Sequence, residues 1–175
     1  MKNRSLRNSL KMLQCFWDLA SLDSSVRIKA TTSLSALLQS LEPADPESIQ
    51  LSESSMPLDK AIEGCHPKVA YSLKRLCKGL ASSRKAARQG FALALTALLQ
   101  EIRYLNDDKI ISLILQSFKY SSAHSTDRDV YFGHILGLGS IARIRTIGSG
   151  VCQELIEQAL WLSGEKSFLR KAASK

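Results

Sequence analysis

The segment from Arg84 to Tyr104 constrains the fold most, because it is apolar on two sides of a helix. Ala87, Phe91, Ala94, Leu95, Leu98 and Ile102 recur at intervals of three or four and share one face. Ala86, Gly90, Leu93 and Ala97 form a second face built mostly of small residues. An amphipathic surface helix has one apolar stripe and needs one neighbour. A helix with two such faces has to be covered twice, as in the inner layer of a stacked helical array. A glycine inside a helix costs about 1 kcal/mol relative to alanine. Gly90 is therefore expected to sit where a neighbouring helix brings its backbone close.

Helix signals recur on both sides of this segment. Over Asn8 to Leu22, the residues Leu10, Leu13, Trp17 and Ala20 fall on one face, which is taken as the buried one. Asp23, Ser24 and Ser25 offer capping oxygens for a second helix with the stripe Ala30, Leu34, Leu37, Leu38 and Leu41. Residues 42–59 form an acidic, Pro/Ser-rich loop, either a disordered insertion or a surface loop. His66-Pro67 restarts helix, since proline is tolerated in a first turn, and Val69, Leu73, Leu76 and Leu80 follow at helical spacing. Ser82 and Ser83 can cap the segment at Arg84. Asn106 and Asp107 then cap a fifth helix through Phe118. A sixth is read over Asp127 to Ile147, broken by Gly148-Ser149-Gly150. A last one runs from Val151 to Leu162 and is ended by Ser163-Gly164. The sum is about seven helices and no strand. The chain reads as one all-α unit over 1–175, a HEAT/armadillo-like α-solenoid segment with pairs recurring at roughly 40–47 residues. The pairs are not visibly similar to one another in sequence, so a compact helical bundle is the alternative.

Composition agrees with helix and limits the surroundings. Only 6% of the 175 residues are aromatic, and Leu and Ala dominate the apolar class. Cys15, Cys65, Cys77 and Cys152 form no C-x-x-C pair, which fits reduced thiols in a cytosolic or nuclear setting. No apolar run reaches the ~20 residues of a membrane span. The basic, serine-containing opening has no acid before Asp18 and has the composition of a mitochondrial presequence too; the helical reading of the same residues is preferred.

The net charge of +8 suits a polyanionic partner. Between Gly64 and Gln100 there is no acid, while Lys68, Lys74, Arg75, Lys78, Arg84, Lys85 and Arg88 all lie there. If the helices around Ser82 pack as a hairpin, these seven form one cationic patch for phosphates. The competing readings are a solvated face, or pairing with the acidic segment 42–59. Arg84 and Lys85 oppose the dipole at a helix start, which favours an interaction role. The pattern shows no interleaving of aromatics that suggests base stacking, so contact would be with backbone phosphates and blind to sequence.

Catalytic chemistry is poorly supported. The close acid pairs, Asp107-Asp108 and Asp127-x-Asp129, stand at helix starts, where aspartate caps. His66, His124 and His134 have no Cys or acid at metal-ligand spacing. Gly137-x-Gly139 lies within a helical pattern, and no G-x-x-x-x-G-K-[ST] occurs. The expectation is no catalytic residue, metal, cofactor or small-molecule substrate.

Three stretches carry a family likeness. YSLKRLCKGLASSRKAARQGFALALTALLQ (71–100), DRDVYFGHILGLGSIA (127–142) and FWDLASLDSSVRIKA (16–30) resemble signatures of the Myb-binding protein 1A family, which includes the fungal DNA polymerase V, or polymerase phi. The resemblance implies an α-solenoid of the nucleus and nucleolus that acts in ribosomal RNA gene transcription, ribosome biogenesis and transcription regulation. Its implied partners are rDNA, pre-rRNA or nuclear proteins. A DNA polymerase, as the family name suggests, and a module that binds protein alone are the alternatives. Family members are far longer, and KSFLRKAASK (166–175) is similar to the start of a further family helix. The chain therefore reads as a truncated gene model or fragment, with an uncapped end prone to self-association.

Overall fold

The computed structural model describes residues 2–41, 66–101, 127–143 and 149–165. The acidic segment 42–59, the helix expected over 106–118 and the stretch 166–175 lie outside them. Among the described residues there are six helices and no strand: α1 (Lys2–Asp18), α2 (Ser24–Gln39), α3 (Pro67–Leu80), α4 (Lys85–Glu101), α5 (Asp127–Ile141) and α6 (Ser149–Glu165).

The starts follow local capping chemistry. Asp23 Oδ1 accepts from the Ser25 amide at 2.7 Å, and the bonds from Ser25 hold its carboxyl below the usual range. His66 Nδ1 accepts from the Lys68 amide at 3.2 Å ahead of Pro67. Ser82 Oγ accepts from the Arg84 amide at 3.3 Å.

The ends differ from the periodicity in three places. α1 stops at Asp18, and Leu19 enters the turn fully buried. α5 stops at Ile141, where Arg143 Nη1 reaches back to Gly139 O at 2.6 Å. α6 takes in Ser149 and Gly150 and continues through Gly164 to Glu165, so Ser163-Gly164 does not end it at Leu162. A helical glycine costs only about 1 kcal/mol, which packing on a neighbour offsets.

The buried face of α1 is also corrected. Met12, Cys15, Phe16 and Leu19 face the core, whereas Leu10, Leu13 and Trp17 are exposed. Both stripes have helical spacing, so periodicity could not choose between them.

Contacts of α4 with α2 and with α5 rise together in residue number, so these neighbours run parallel. Ser72 Oγ of α3 donates to Met12 Sδ of α1 at 3.6 Å, and Tyr71 packs edge-on against Phe16 at 6.0 Å. Gln39 at the end of α2 bonds Glu101 at the end of α4. Arg88, near the start of α4, pairs with Asp129, near the start of α5, and Gln100 meets Arg143 near the ends of both. The first step therefore spans about 60 residues and the second about 43. The difference is close to the length of segment 42–59. Parallel neighbours of this kind fit the layered stacking of a solenoid segment.

The layers do share a sequence element. Leu19-Ala20-Ser21 is followed by Arg27, and Leu80-Ala81-Ser82 by Arg88. Arg27 Nη1 donates to the carbonyl oxygens of Ser21 and Leu22, both at 2.8 Å. Arg88 Nη1 donates to those of Ser82 and Ser83, at 2.6 and 3.2 Å. Each guanidinium closes the turn that precedes its helix, supplying donors to carbonyls left over at the preceding helix end. The core sets match in the same register: Met12, Cys15, Phe16 and Leu19 correspond to Leu73, Leu76, Cys77 and Leu80.

α4 is the central element, packed against α2, α3 and α5. A Cβ on Gly90 would overlap the Leu19 carbonyl oxygen and stand 2.9 Å from its carbon. The close approach expected at Gly90 is real, and it comes from the turn that ends α1. Arg88 and Ala92, on the other side of α4, meet Asp129 and Ser140 of α5.

Trp161 of α6 packs on Tyr131 and His134 of α5, with ring centroids 6.4 and 6.1 Å apart. Burial pushes the His134 imidazole down to about 4 from its ordinary value near 6.5. The folded state thus resists a proton that the unfolded chain accepts. Stability is fully present above pH 6.5 and falls as pH drops toward 4, by up to roughly 3 kcal/mol. Urea midpoints at pH 7 and 4.5 check this: His134→Leu is expected to lose much less stability on acidification than the parent.

Candidate nucleic-acid interface

The seven cations lie on α3, α4 and the turn between them. On α3 the buried side is Val69, Ser72, Leu73, Leu76, Cys77 and Leu80. This leaves Lys68, Lys74, Arg75 and Lys78 on the outer side; Lys78 is exposed and the other three are half-buried. Arg84 and Lys85 at the turn are exposed, and Arg88, one turn into α4, is half-buried.

Their partners divide them. Arg88 is built into the fold. Besides the two turn carbonyls, its Nη1 pairs with Asp129 Oδ1 at 2.9 Å, and its guanidinium lies 5.3 Å from the Phe132 ring centroid. Arg75 lies over the Phe16 ring at 4.9 Å, and its Nη1 donates to Tyr71 Oη at 3.3 Å. Arg84 Nη2 donates to Ala20 O at 3.1 Å, just past the end of α1, where carbonyls favour a cation. That contact is a second reason for the position of Arg84, besides any ligand. The cations exposed at the end of α3 and in the turn that follows are Lys78, Arg84 and Lys85.

The acids near the patch have defined roles. Asp129 sits in the first turn of α5 and forms an ion pair with Arg88 of α4. That pairing spans 41 residues, and no local signal marks it. Asp107 and Asp108 lie outside the described residues. Among the described residues, no three His, Cys, Asp or Glu side chains converge as a metal site, and no helix is long and apolar enough to cross a membrane. Cys15 and Cys77 are buried free thiols and Cys152 an exposed one. Burial, with Asp18 nearby, pushes the Cys15 thiol up, which keeps it protonated and unreactive.

These features define an all-helical stacked protein with a cationic turn on its surface. A family model described as DNA polymerase phi matches residues 71–175, and the chain belongs to this family. The chain is 32% identical over 142 residues to the rDNA transcriptional regulator pol5 of Schizosaccharomyces pombe, covering 73% of this chain and 14% of that protein. It is 28% identical over 134 residues to Myb-binding protein 1A of Rattus norvegicus, covering 76% and 8%. With a Myb-binding protein 1A-like protein of Danio rerio it shares 25% identity over 139 residues, covering 79% and 9%. The chain thus spans about a seventh or less of the length of these relatives. No solved structure matches. The relatives are named as a regulator and as binding proteins, not as catalysts.

Proposed function

We propose that this chain is a non-enzymatic scaffold segment of a nuclear, nucleolar protein acting in transcription of ribosomal RNA genes and ribosome biogenesis. It meets nucleic acid, rDNA or pre-rRNA, through the cationic end of the α3–α4 hairpin. The observation that carries this reading is the cluster of Lys78, Arg84 and Lys85 at one exposed turn, in a stretch of sequence without acids. The role in rDNA transcription draws on the name of the fission-yeast relative. The non-enzymatic reading draws on the relatives' names and on Asp129, which is committed to Arg88. A protein-only module is the second reading, favoured by the Myb-binding names of the vertebrate relatives.

Salt dependence tests it. Binding of duplex DNA or single-stranded RNA is expected to weaken linearly in log Kd against log salt. Changing Lys78, Arg84 and Lys85 to Gln is expected to reduce that slope by about 2–3, at roughly 0.7–0.9 per lost phosphate contact. A slope that does not move would remove the patch from the interface. Lys68 and Lys74 belong to the proposed surface as flanking cations. Arg75 and Arg88 are poor test positions, because removing them also removes packing.

A further inference from the structure

The outer faces of α1 and α3 form a second surface that the phosphate reading does not use. On α1, Trp17, Leu10 and Leu13 are 72%, 60% and 39% exposed, and they fall at i, i+3 and i+7. On α3, Tyr71 is 42% exposed while its ring rests edge-on against Phe16 of α1. Tyr71 and Arg75 touch Phe16, and Ser72 touches Met12, so side chains of the two helices meet along this face. Arg7 and Lys11 are exposed on α1 itself. Each helix carries four Lys or Arg, and Asp18 is the one acid of the pair.

The pattern is an apolar ridge of helical pitch with cations along it. Large exposed apolar patches with polar rims mark interaction sites. Leucines spaced by one helical turn fit the i, i+3, i+4, i+7 anchors of another amphipathic helix. The leucines offer little to a nucleobase, which would find only Trp17 and Tyr71 to stack on here. The cationic border requires the incoming helix to be acidic on the flanks of its apolar stripe.

We propose that the α1–α3 face docks an acidic amphipathic helix of a partner protein, with Trp17 and Leu13 as anchors and Arg7 and Lys11 reading its carboxylates. This does not rest on the phosphate site at the α3–α4 turn, and the test changes residues of α1 alone.

The probe is a synthetic peptide of about 18 residues with leucines at i, i+3, i+4 and i+7 and glutamates elsewhere, titrated against the full chain. Controls are the scrambled peptide, a lysine version, and oligouridine. The expected result is saturable binding of the glutamate peptide alone among the peptides. It should weaken at least about tenfold in Leu13→Ala/Trp17→Ala and severalfold, with less salt dependence, in Arg7→Gln/Lys11→Gln. Leu13 is only 39% exposed, so its truncation should lower the urea midpoint slightly, while the other three changes leave it unchanged and oligouridine binding persists in all. The proposal is overturned by no saturable peptide binding up to about 1 mM, by equal binding of the scrambled peptide, or by variants that bind like the parent. It is equally overturned if Trp17→Ala abolishes oligouridine binding, which would make this a stacking face. Sedimentation showing self-association that Trp17→Ala abolishes would instead make the occupant a second copy.

Discussion

Gly90→Ala is expected to destabilise the fold by about 3 kcal/mol, although alanine is intrinsically the better helix former by about 1 kcal/mol. The reason is geometric. The added methyl overlaps the Leu19 carbonyl oxygen, and the next atoms in its way are the Leu19 carbonyl carbon and Arg27 Cδ. A flexible side chain could rotate aside, but a backbone carbonyl cannot. Relief would require α4 to shift away from the α1–α2 turn, and α4 is also held by α3 and α5. Gly164→Ala is the matched control. Nothing lies within 4 Å of its position, so stability should stay within about 0.5 kcal/mol of the parent. Urea unfolding of both variants checks the pair. Equal midpoints would show that the approach at Gly90 is not a tight one.

Arg88→Met is expected to cost about 3–5 kcal/mol, more than any change at the exposed cations. One nitrogen of Arg88 serves Ser82 O, Ser83 O and Asp129 Oδ1. Both charged side chains are largely buried, at 14% relative exposure each. Removing the cation strands the Asp129 carboxylate in a poorly solvated site, the situation in which breaking an ion pair is most costly. Arg27→Met removes the equivalent contacts to the turn carbonyls of Ser21 and Leu22, which are not charged, so about 1–2 kcal/mol is expected. A double-mutant cycle with Asp129→Asn measures the coupling. The Arg88→Met/Asp129→Asn double variant should be less destabilised than the sum of its parts.

These two positions show what the sequence reveals and what it hides. The close approach at Gly90 follows from a local pattern, but the small-residue face read with it is corrected: Leu93 is exposed and Leu99, in neither stripe, is buried against the neighbouring helices. The caps at Asp23, His66 and Ser82 are local as well. The continuous basic stretch is visible because the cations are contiguous in sequence. Which of them face outward is not visible, because it is set by groups far along the chain: Phe16 takes Arg75, Ala20 takes Arg84, and Asp129 takes Arg88. The same limit misassigned the buried stripe of α1, where two apolar faces have equal spacing and only the neighbouring helices decide. The Leu-Ala-Ser…Arg element lay in plain sight but is short. Its meaning appears only when both arginines are seen closing equivalent turns.

The repeated parallel step is the claim on which the rest depends, and cross-linking tests it directly. With Cys65 and Cys152 changed to Ser, cysteines are placed either at Gln39 and Glu101 or at Gln39 and Lys85, and each variant is treated with a short bismaleimide. Parallel stacking of α2 on α4 puts the C-terminal ends together, so rapid intramolecular cross-linking is expected for Gln39→Cys/Glu101→Cys and little for Gln39→Cys/Lys85→Cys. The reverse preference would mean antiparallel neighbours, as in an up-and-down bundle, and would contradict the layered account.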